Sequence, residues 1–235
     1  MTSRTKPGNA SPHIRSAADF AAAYGVPAET TERLQRYVDT LRLWQPRINL
    51  VSPQTLDHVW HRHIADSAQI VSLAPEQPGH WVDLGSGAGF PGLVVAIMLA
   101  GNGPAATRVT LVESDQRKCA FMREVVRQTS LAGTIPVDIL CMRIEEPATQ
   151  ARLASVDVVS ARALASLSRL LELAVPMLDK DTTALFMKGR TAADEISEAQ
   201  RSWIFDYDIV PSTSERDARI VRIRGAAVRR EGETP

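Results

Sequence analysis

Cysteine is nearly missing from this chain. Only Cys119 and Cys141 occur in 235 residues. Two thiols cannot form the framework of a disulfide-stapled extracellular mini-protein. Both lie in apolar segments and read as small buried residues of a reducing compartment. A surplus of charge is missing too: Lys+Arg and Asp+Glu each number 27, for a formal net charge of zero. Phosphate neutralisation needs surplus cations, so wholesale cationic nucleic-acid binding is disfavoured. A local basic patch remains compatible, because net charge says nothing about distribution. No apolar run reaches the roughly 18 residues of a membrane span. The opening MTSRTKPGNASPH carries no apolar signal core. These absences lead us to expect a soluble, cytoplasmic protein that binds no membrane.

What is present is ordinary for a globular chain: 44% hydrophobic and 23% charged residues. That length buries most of its apolar surface without staples, which excludes a collagen or a mainly disordered chain. One α/β domain with an appendage fits best. Residues 1–14 are rich in Pro, Gly, Ser, Thr and Asn and are expected to be a disordered tail, as are residues 226–235. Residues 15–76 read as a helical segment. Leu34, Tyr37, Val38, Leu41 and Trp44 recur at three- and four-residue steps on one face, and Pro46 ends that helix. A second helical stretch begins near Gln54. On it His58 and His61 share a face while His63 points elsewhere. A metal site needs at least three convergent ligands, so His63 reads as a packing or hydrogen-bonding residue, and no metal is expected.

From residue 77 to 225 the periodicity changes. Short apolar runs occur at Trp81–Leu84, Val109–Val112, Val137–Leu140, Val156–Val159, Thr183–Met187, Ile204–Val210 and Arg219–Ile223, with helical stretches between the first five and after Lys188. Such alternation predicts a parallel sheet covered on both faces. The last two runs are separated only by a turn and predict an antiparallel hairpin at one edge. The expected fold is a seven-stranded, doubly wound, mostly parallel sheet.

The most informative stretch runs from Trp81 to Gly92: WVDLGSGAGFPG. It follows the first predicted strand and opens a helix, the place where doubly wound sheets bind ligands. Its glycines Gly85, Gly87 and Gly89 let backbone approach a ligand that a Cβ would exclude, and a helix N-terminus supplies free N–H donors. The stretch even fits the dinucleotide pattern G-x-G-x-x-G. Pro91, however, deletes an N–H that should cradle a pyrophosphate. The Asp83 carboxylate would repel a pyrophosphate but attract an ammonium. S-adenosylmethionine carries an ammonium, a sulfonium and no phosphate, so it suits this environment. Glu113 ends the second predicted strand, where a carboxylate can accept hydrogen bonds from both ribose hydroxyls. Ile144 and Glu145, after the third, are placed to bracket an adenine; acidic residues favoured at a helix start explain that loop almost as well.

The chain also carries Asn49-Leu50 with Ser52, Arg62-His63-Ile64 with Asp66-Ser67, the block Asp83 to Gly92, Arg143-Ile144-Glu145-Glu146, Ser160-Ala161-Arg162-Ala163 and Met187-Lys188-Gly189. Over residues 30 to 225 this set resembles the RsmG (GidB) methyltransferases. The family more often has Ser-Arg-Ala directly; here Ala161 intervenes. The resemblance implies a Rossmann-like class I methyltransferase fold and transfer of methyl from S-adenosylmethionine, leaving S-adenosylhomocysteine, to N7 of a guanine in the decoding-region loop of 16S ribosomal RNA. It implies that Gly85, Phe90, Ile144, Glu145 and Arg162 sit at the cofactor.

Guanine N7 has an in-plane lone pair and no proton, so catalysis by positioning is expected rather than by a general base. Arg62, Arg162, Lys188 and Arg190 are the cations expected to orient the base or its phosphate. Arg117, Lys118, Arg123 and Arg127 on one helix, and Arg216, Arg219, Arg222 and Arg224 around the terminal hairpin, could face RNA. The resemblance makes 16S ribosomal RNA, in a small ribosomal subunit or assembly intermediate, the expected partner, with no DNA and a monomeric enzyme; the neutral total charge adds that recognition would depend on ribosomal context, meaning folded RNA and a ribosomal protein. Three other readings stay open: another methyl acceptor, a nicotinamide-dependent oxidoreductase, and a binding module that senses adenosylmethionine without turnover.

Overall fold

A computed structural model describes residues 13–101, 107–153 and 155–230. The helical lead-in comprises α1 (Ala17–Tyr24), α2 (Ala28–Trp44) and α3 (Pro53–Leu56), then a π-helical turn (Trp60–Ala65) and α4 (Asp66–Ala68). Ser16 caps α1 by accepting from the Asp19 N–H. The expected second helix is therefore broken into short pieces. The sheet strands are β1 (His80–Leu84), β2 (Arg108–Glu113), β3 (Val137–Cys141), β4 (Val158–Arg162), β5 (Thr183–Lys188), β6 (Trp203–Pro211) and β7 (Arg219–Arg229). Between them lie α5 (Gly92–Ala100), α6 (Gln116–Gln128), α7 (Pro147–Gln150), α8 (Leu167–Ala174) and α9 (Ala192–Ser202).

All seven predicted strands are present, in the order β3-β2-β1-β4-β5-β7-β6. The first five are parallel, and β7 runs antiparallel to both β5 and β6. Two cores flank the sheet. Trp81, Val109 and Leu111 point to one face, where α5, α6 and the N-terminal helices pack. Val82, Leu84 and Val159 point to the other, under α8 and α9. Helix α5 buries Leu93, Val94, Val95, Ala96 and Ile97 completely. A helix apolar all round must be covered on every side, and α2 and α4 supply its outer cover. The N-terminal segment thus shares one core with the sheet.

Two expected boundaries move. Ile14, expected in the tail, is 4% exposed, and its N–H donates to His61 Nδ1, so it is part of the packed fold. The tail expected from residue 226 is instead the last stretch of β7, which continues to Arg229 because Ile204 and Trp203 of β6 pair with Val228 and Arg229. Residues 1–12 and 231–235 lie outside the described residues. Cys119 is buried, Cys141 half-buried, and both are free thiols. Among the described residues no helix is long and apolar enough to cross a membrane.

Candidate functional site

The chain leaves β1 through a glycine turn held by hydrogen bonds to the neighbouring strand. Ser86 N–H donates to the Val112 carbonyl, and Gly87 N–H to Glu113 Oε2 at 2.9 Å. Gly85 has φ +63, the left-handed region, and a Cβ there would lie 2.4 Å from Leu164. Gly92, the first residue of α5, meets a different limit. A Cβ there would fall 2.2 Å from Leu111 and 2.8 Å from the Asp83 carboxylate. Its absence lets the Gly92 N–H reach Asp83 Oδ2 at 3.2 Å.

Above this turn, at the carboxyl ends of β1, β2, β3 and β4, lies a cavity of about 470 Å³, a size typical of small-molecule sites. Seven of the expected site residues line it: Gly85, Gly87, Phe90, Glu113, Ile144, Glu145 and Arg162. Four others do not. Gly89 lies outside the lining. Asp83 is fully buried, with Oδ1 accepting from the Ser160 hydroxyl at 2.7 Å. Its carboxylate faces the protein, where β1 and β4 place Asp83 beside Ser160 in register, so it anchors the loop instead of meeting an ammonium. Arg62 and Lys188 line a neighbouring cavity.

Arg162, Lys188 and Arg62 each already have an acidic partner. Arg162 Nε lies 3.2 Å from Asp66, and its Nη2 donates to the Arg62 carbonyl at 2.8 Å. Burial pushes the Arg162 pKa down, and Asp66 pulls it back up. Its Nη1 is buried without a hydrogen-bond partner among the described residues. Lys188 Nζ lies 2.7 Å from Glu195 and donates to the Ala165 carbonyl. Arg62 pairs with Glu215. On the surface, Arg127 is tied to Glu124, and Arg222 and Arg224 to Asp208, which leaves less free positive surface than the sequence suggests.

Sequence reasoning missed the side of the cavity formed by the N-terminal segment, Leu50 and Val51, and the support given to the glycine loop by the fully buried Tyr37. Tyr37 OH donates to the Ala88 carbonyl at 2.5 Å, and its ring stacks on Phe90 at 5.1 Å. The apolar spacing of Tyr37 signalled burial but gave no hint that its hydroxyl holds the glycine loop. His63 lines the cavity. Its ring stacks on Phe90 at 5.0 Å, and Nε2 is 2.8 Å from the Thr55 hydroxyl. Thr55 donates to the Ser52 carbonyl, so Nε2 carries the proton and Nδ1 does not.

Burial, helped by the charges of Arg162 and Arg62, pushes the His63 pKa down to about 3. Burial pushes Asp83 up to about 6, against hydrogen bonds from Ser160, Ser86 and Gly92. The signs oppose. Between about pH 3 and 6.5 the unfolded chain binds more protons at His63, so that contribution is complete above 6.5 and lost as pH falls. Between 3.8 and about 6 the folded chain holds the extra proton at Asp83, so that contribution is complete below 3.8 and lost as pH rises. Each slope is about 1.4 kcal/mol per pH unit, and the two cancel between about pH 4 and 6. Relative to the parent, His63→Gln should therefore lose stability as pH rises across this window, and Asp83→Asn should gain it. Urea unfolding at several pH values measures both; equal slopes for the two variants would contradict the assignment.

S-adenosylmethionine fits the residues present. The glycine turn offers backbone without side chains, and Ile144 and Val51 offer apolar wall. Glu113 is 9% exposed at the cavity, and each of its oxygens accepts one backbone N–H, from Gly87 and Asp115. A carboxylate has about four acceptor positions, so two remain for a ribose diol. The unpartnered Nη1 of Arg162 offers a donor. Among the described residues no group of three or more His, Cys, Asp or Glu is placed to hold a metal ion.

Comparison with known proteins agrees with this architecture. The chain is similar to a methyltransferase structure from Geobacter sulfurreducens (TM-score 0.54, 17% identity, 91% of this chain and 98% of that one). It is also similar to Aeropyrum pernix fibrillarin solved with natively bound S-adenosyl-L-methionine (TM-score 0.52, 17% identity, 69% and 75%). These likenesses establish a Rossmann-like methyltransferase fold. In sequence, it is 46% identical over 214 residues to the ribosomal RNA small subunit methyltransferase G of Parvibaculum lavamentivorans, covering 91% of each chain. It is 47% identical to the protein of that name from Rhodospirillum centenum, covering 91% and 92%. The family model described as GidB, rRNA small subunit methyltransferase G, matches residues 30–221. By identity over most of its length and by family match alike, the chain belongs to the rRNA small subunit methyltransferase G family.

Proposed function

We propose that this protein transfers a methyl group from S-adenosylmethionine to N7 of a guanine in 16S ribosomal RNA, in the decoding-region loop, and that it acts as a cytoplasmic monomer on the small subunit or an assembly intermediate. The names of its relatives support the acceptor class. The observation that carries the donor is Glu113: a buried carboxylate at the end of β2 with spare acceptor positions facing a glycine-floored cavity.

The cofactor, when bound, supplies a methyl carbon made electrophilic by its sulfonium. The N7 lone pair forms the new nitrogen–carbon bond while the carbon–sulfur pair returns to sulfur. Positive charge moves to the guanine ring, and no proton is transferred. The protein's task is then to hold the two reactants in line and exclude water. Glu113 holds the ribose, the backbone from Gly85 to Gly87 floors the site, Ile144 and Glu145 flank the adenine, and Arg162 points a free N–H into the wall. His63, neutral at working pH, fixes Phe90 by stacking.

Labelled S-adenosylmethionine with small subunits that lack the modification tests this, with naked 16S RNA in parallel. Borohydride–aniline cleavage, which cuts at N7-methylguanine, maps the product. A single cut in the decoding-region loop is expected. Label in neither lane, with the cofactor nevertheless bound, would refute the acceptor.

A further inference from the structure

We propose that a second cavity, of about 220 Å³, receives the acceptor as a single guanine nucleotide swung out of its RNA strand; this rests on the function proposed above. In-line transfer requires two ligand sites that meet at one point. The second cavity and the cofactor cavity share only Arg162 and Ala163. At that boundary Ala163 presents no more than a methyl group. It does so at φ +52, a conformation residues with a Cβ rarely adopt and one that clusters at functional sites.

The walls suit a guanine. One is the turn between β6 and β7, bolted in place from the N-terminal segment. Gln69 accepts from Thr213 N–H at 2.8 Å and donates to the Ser212 hydroxyl at 3.1 Å, and the Ser214 hydroxyl donates to Asp66. Arg162 and Lys188 are fixed by the carboxylates of Asp66 and Glu195. The Arg62–Glu215 pair is different: its side chains are 37% and 42% exposed, and both line the cavity. The pair sets a carboxylate beside a guanidinium. Guanine's Watson–Crick edge sets two donors, N1–H and N2–H, beside the O6 acceptor. Insertion of that edge between Glu215 and Arg62 satisfies both and leaves N7 free for methylation. An unstacked base is the form in which enzymes reach a target atom otherwise enclosed by stacking.

The test fills the cavity from two sides. Gly189 lines it, and a Cβ there meets nothing within 4 Å; Ala218 lines it from the opposite turn. Gly189→Phe and Ala218→Phe should each bind S-adenosylmethionine within about twofold of the parent by calorimetry, showing an intact fold. Each should lose about 100-fold or more in transfer to unmodified small subunits, the scale of a misplaced reactant. Glu215→Ala should raise KM for the subunit about tenfold with cofactor binding unchanged. Transfer at the parental rate in both filled variants would overturn the acceptor site. Loss of cofactor binding in both would overturn it too, because the cavity would then belong to the cofactor. A parental KM in Glu215→Ala would overturn the reading of the edge. If the parent itself transfers nothing, the proposed function fails instead.

Discussion

Arg162→Met is expected to abolish detectable methyl transfer and to cost about 3–5 kcal/mol of stability. The stability loss comes from the partner left behind. Asp66 has a side chain 12% exposed, and the Arg162 guanidinium 3.2 Å away is its only cationic partner among the described residues. Removing one member of a buried pair leaves an uncompensated charge, which is costlier than losing the attraction. Adding Asp66→Asn should therefore restore most of the stability, since the amide oxygen keeps the acceptor that Ser214 and Gln69 use while the stranded charge is gone. Transfer should stay absent, because the wall between the two cavities has lost its donor. Arg162→Lys should not rescue, as one ammonium cannot span Asp66, the Arg62 carbonyl and the cavity together. Thermal or urea unfolding gives the first readout and labelled transfer the second. A single variant with parental stability and activity would contradict both roles.

Gly92→Ala is the second large effect. The added carbon overlaps Leu111 on β2 and the Asp83 carboxylate on β1. Leu111 and Asp83 are fully buried, so neither can swing out and α5 must lift. Overpacking of this kind costs about 3 kcal/mol, or roughly 6–12 °C in Tm for a domain of this size. The same shift pulls the Gly92 N–H away from Asp83, strands a buried carboxylate, and loosens the turn that floors the cofactor cavity. Cofactor affinity should fall at least about tenfold, the loss expected when a site's supporting backbone is displaced. A Tm within about 2 °C of the parent, well under the shift expected for overpacking, would show that α5 sits farther from the sheet than described.

Which parts of this were legible in the sequence follows from what each pattern reports. Apolar runs such as Trp81–Leu84 and Val109–Val112 announced buried strands because burial on both faces leaves no polar alternation. The glycine block announced the cavity because only backbone geometry explains so many glycines between a strand and a helix. Direction was harder. Asp83 stands next to last in a strand that opens a ligand-binding motif, yet its side chain shares the Trp81 face and faces Ser160 across the sheet. Only strand register shows that. Arg62 and Lys188 were singled out as cations, but their carboxylate partners Glu215 and Glu195 come from segments that no local pattern links to them. The π-helical turn at Trp60–Ala65 replaced a regular helix because tertiary demands on His61 and His63, facing Ile14 and Phe90 respectively, outweigh local propensity.

The position of β7 in the sheet also sets the order in which the molecule can be finished. Strand β6 touches the sheet only through β7, which comes after it in the chain. During synthesis β6 must wait, unpaired, until residues 219–229 have emerged. The cofactor cavity draws its lining from residues 50–173 and can close before then. The neighbouring cavity needs residues 212–220 and cannot. A nascent chain thus acquires a place for the small molecule first. The cavity proposed above for the acceptor nucleotide is completed last.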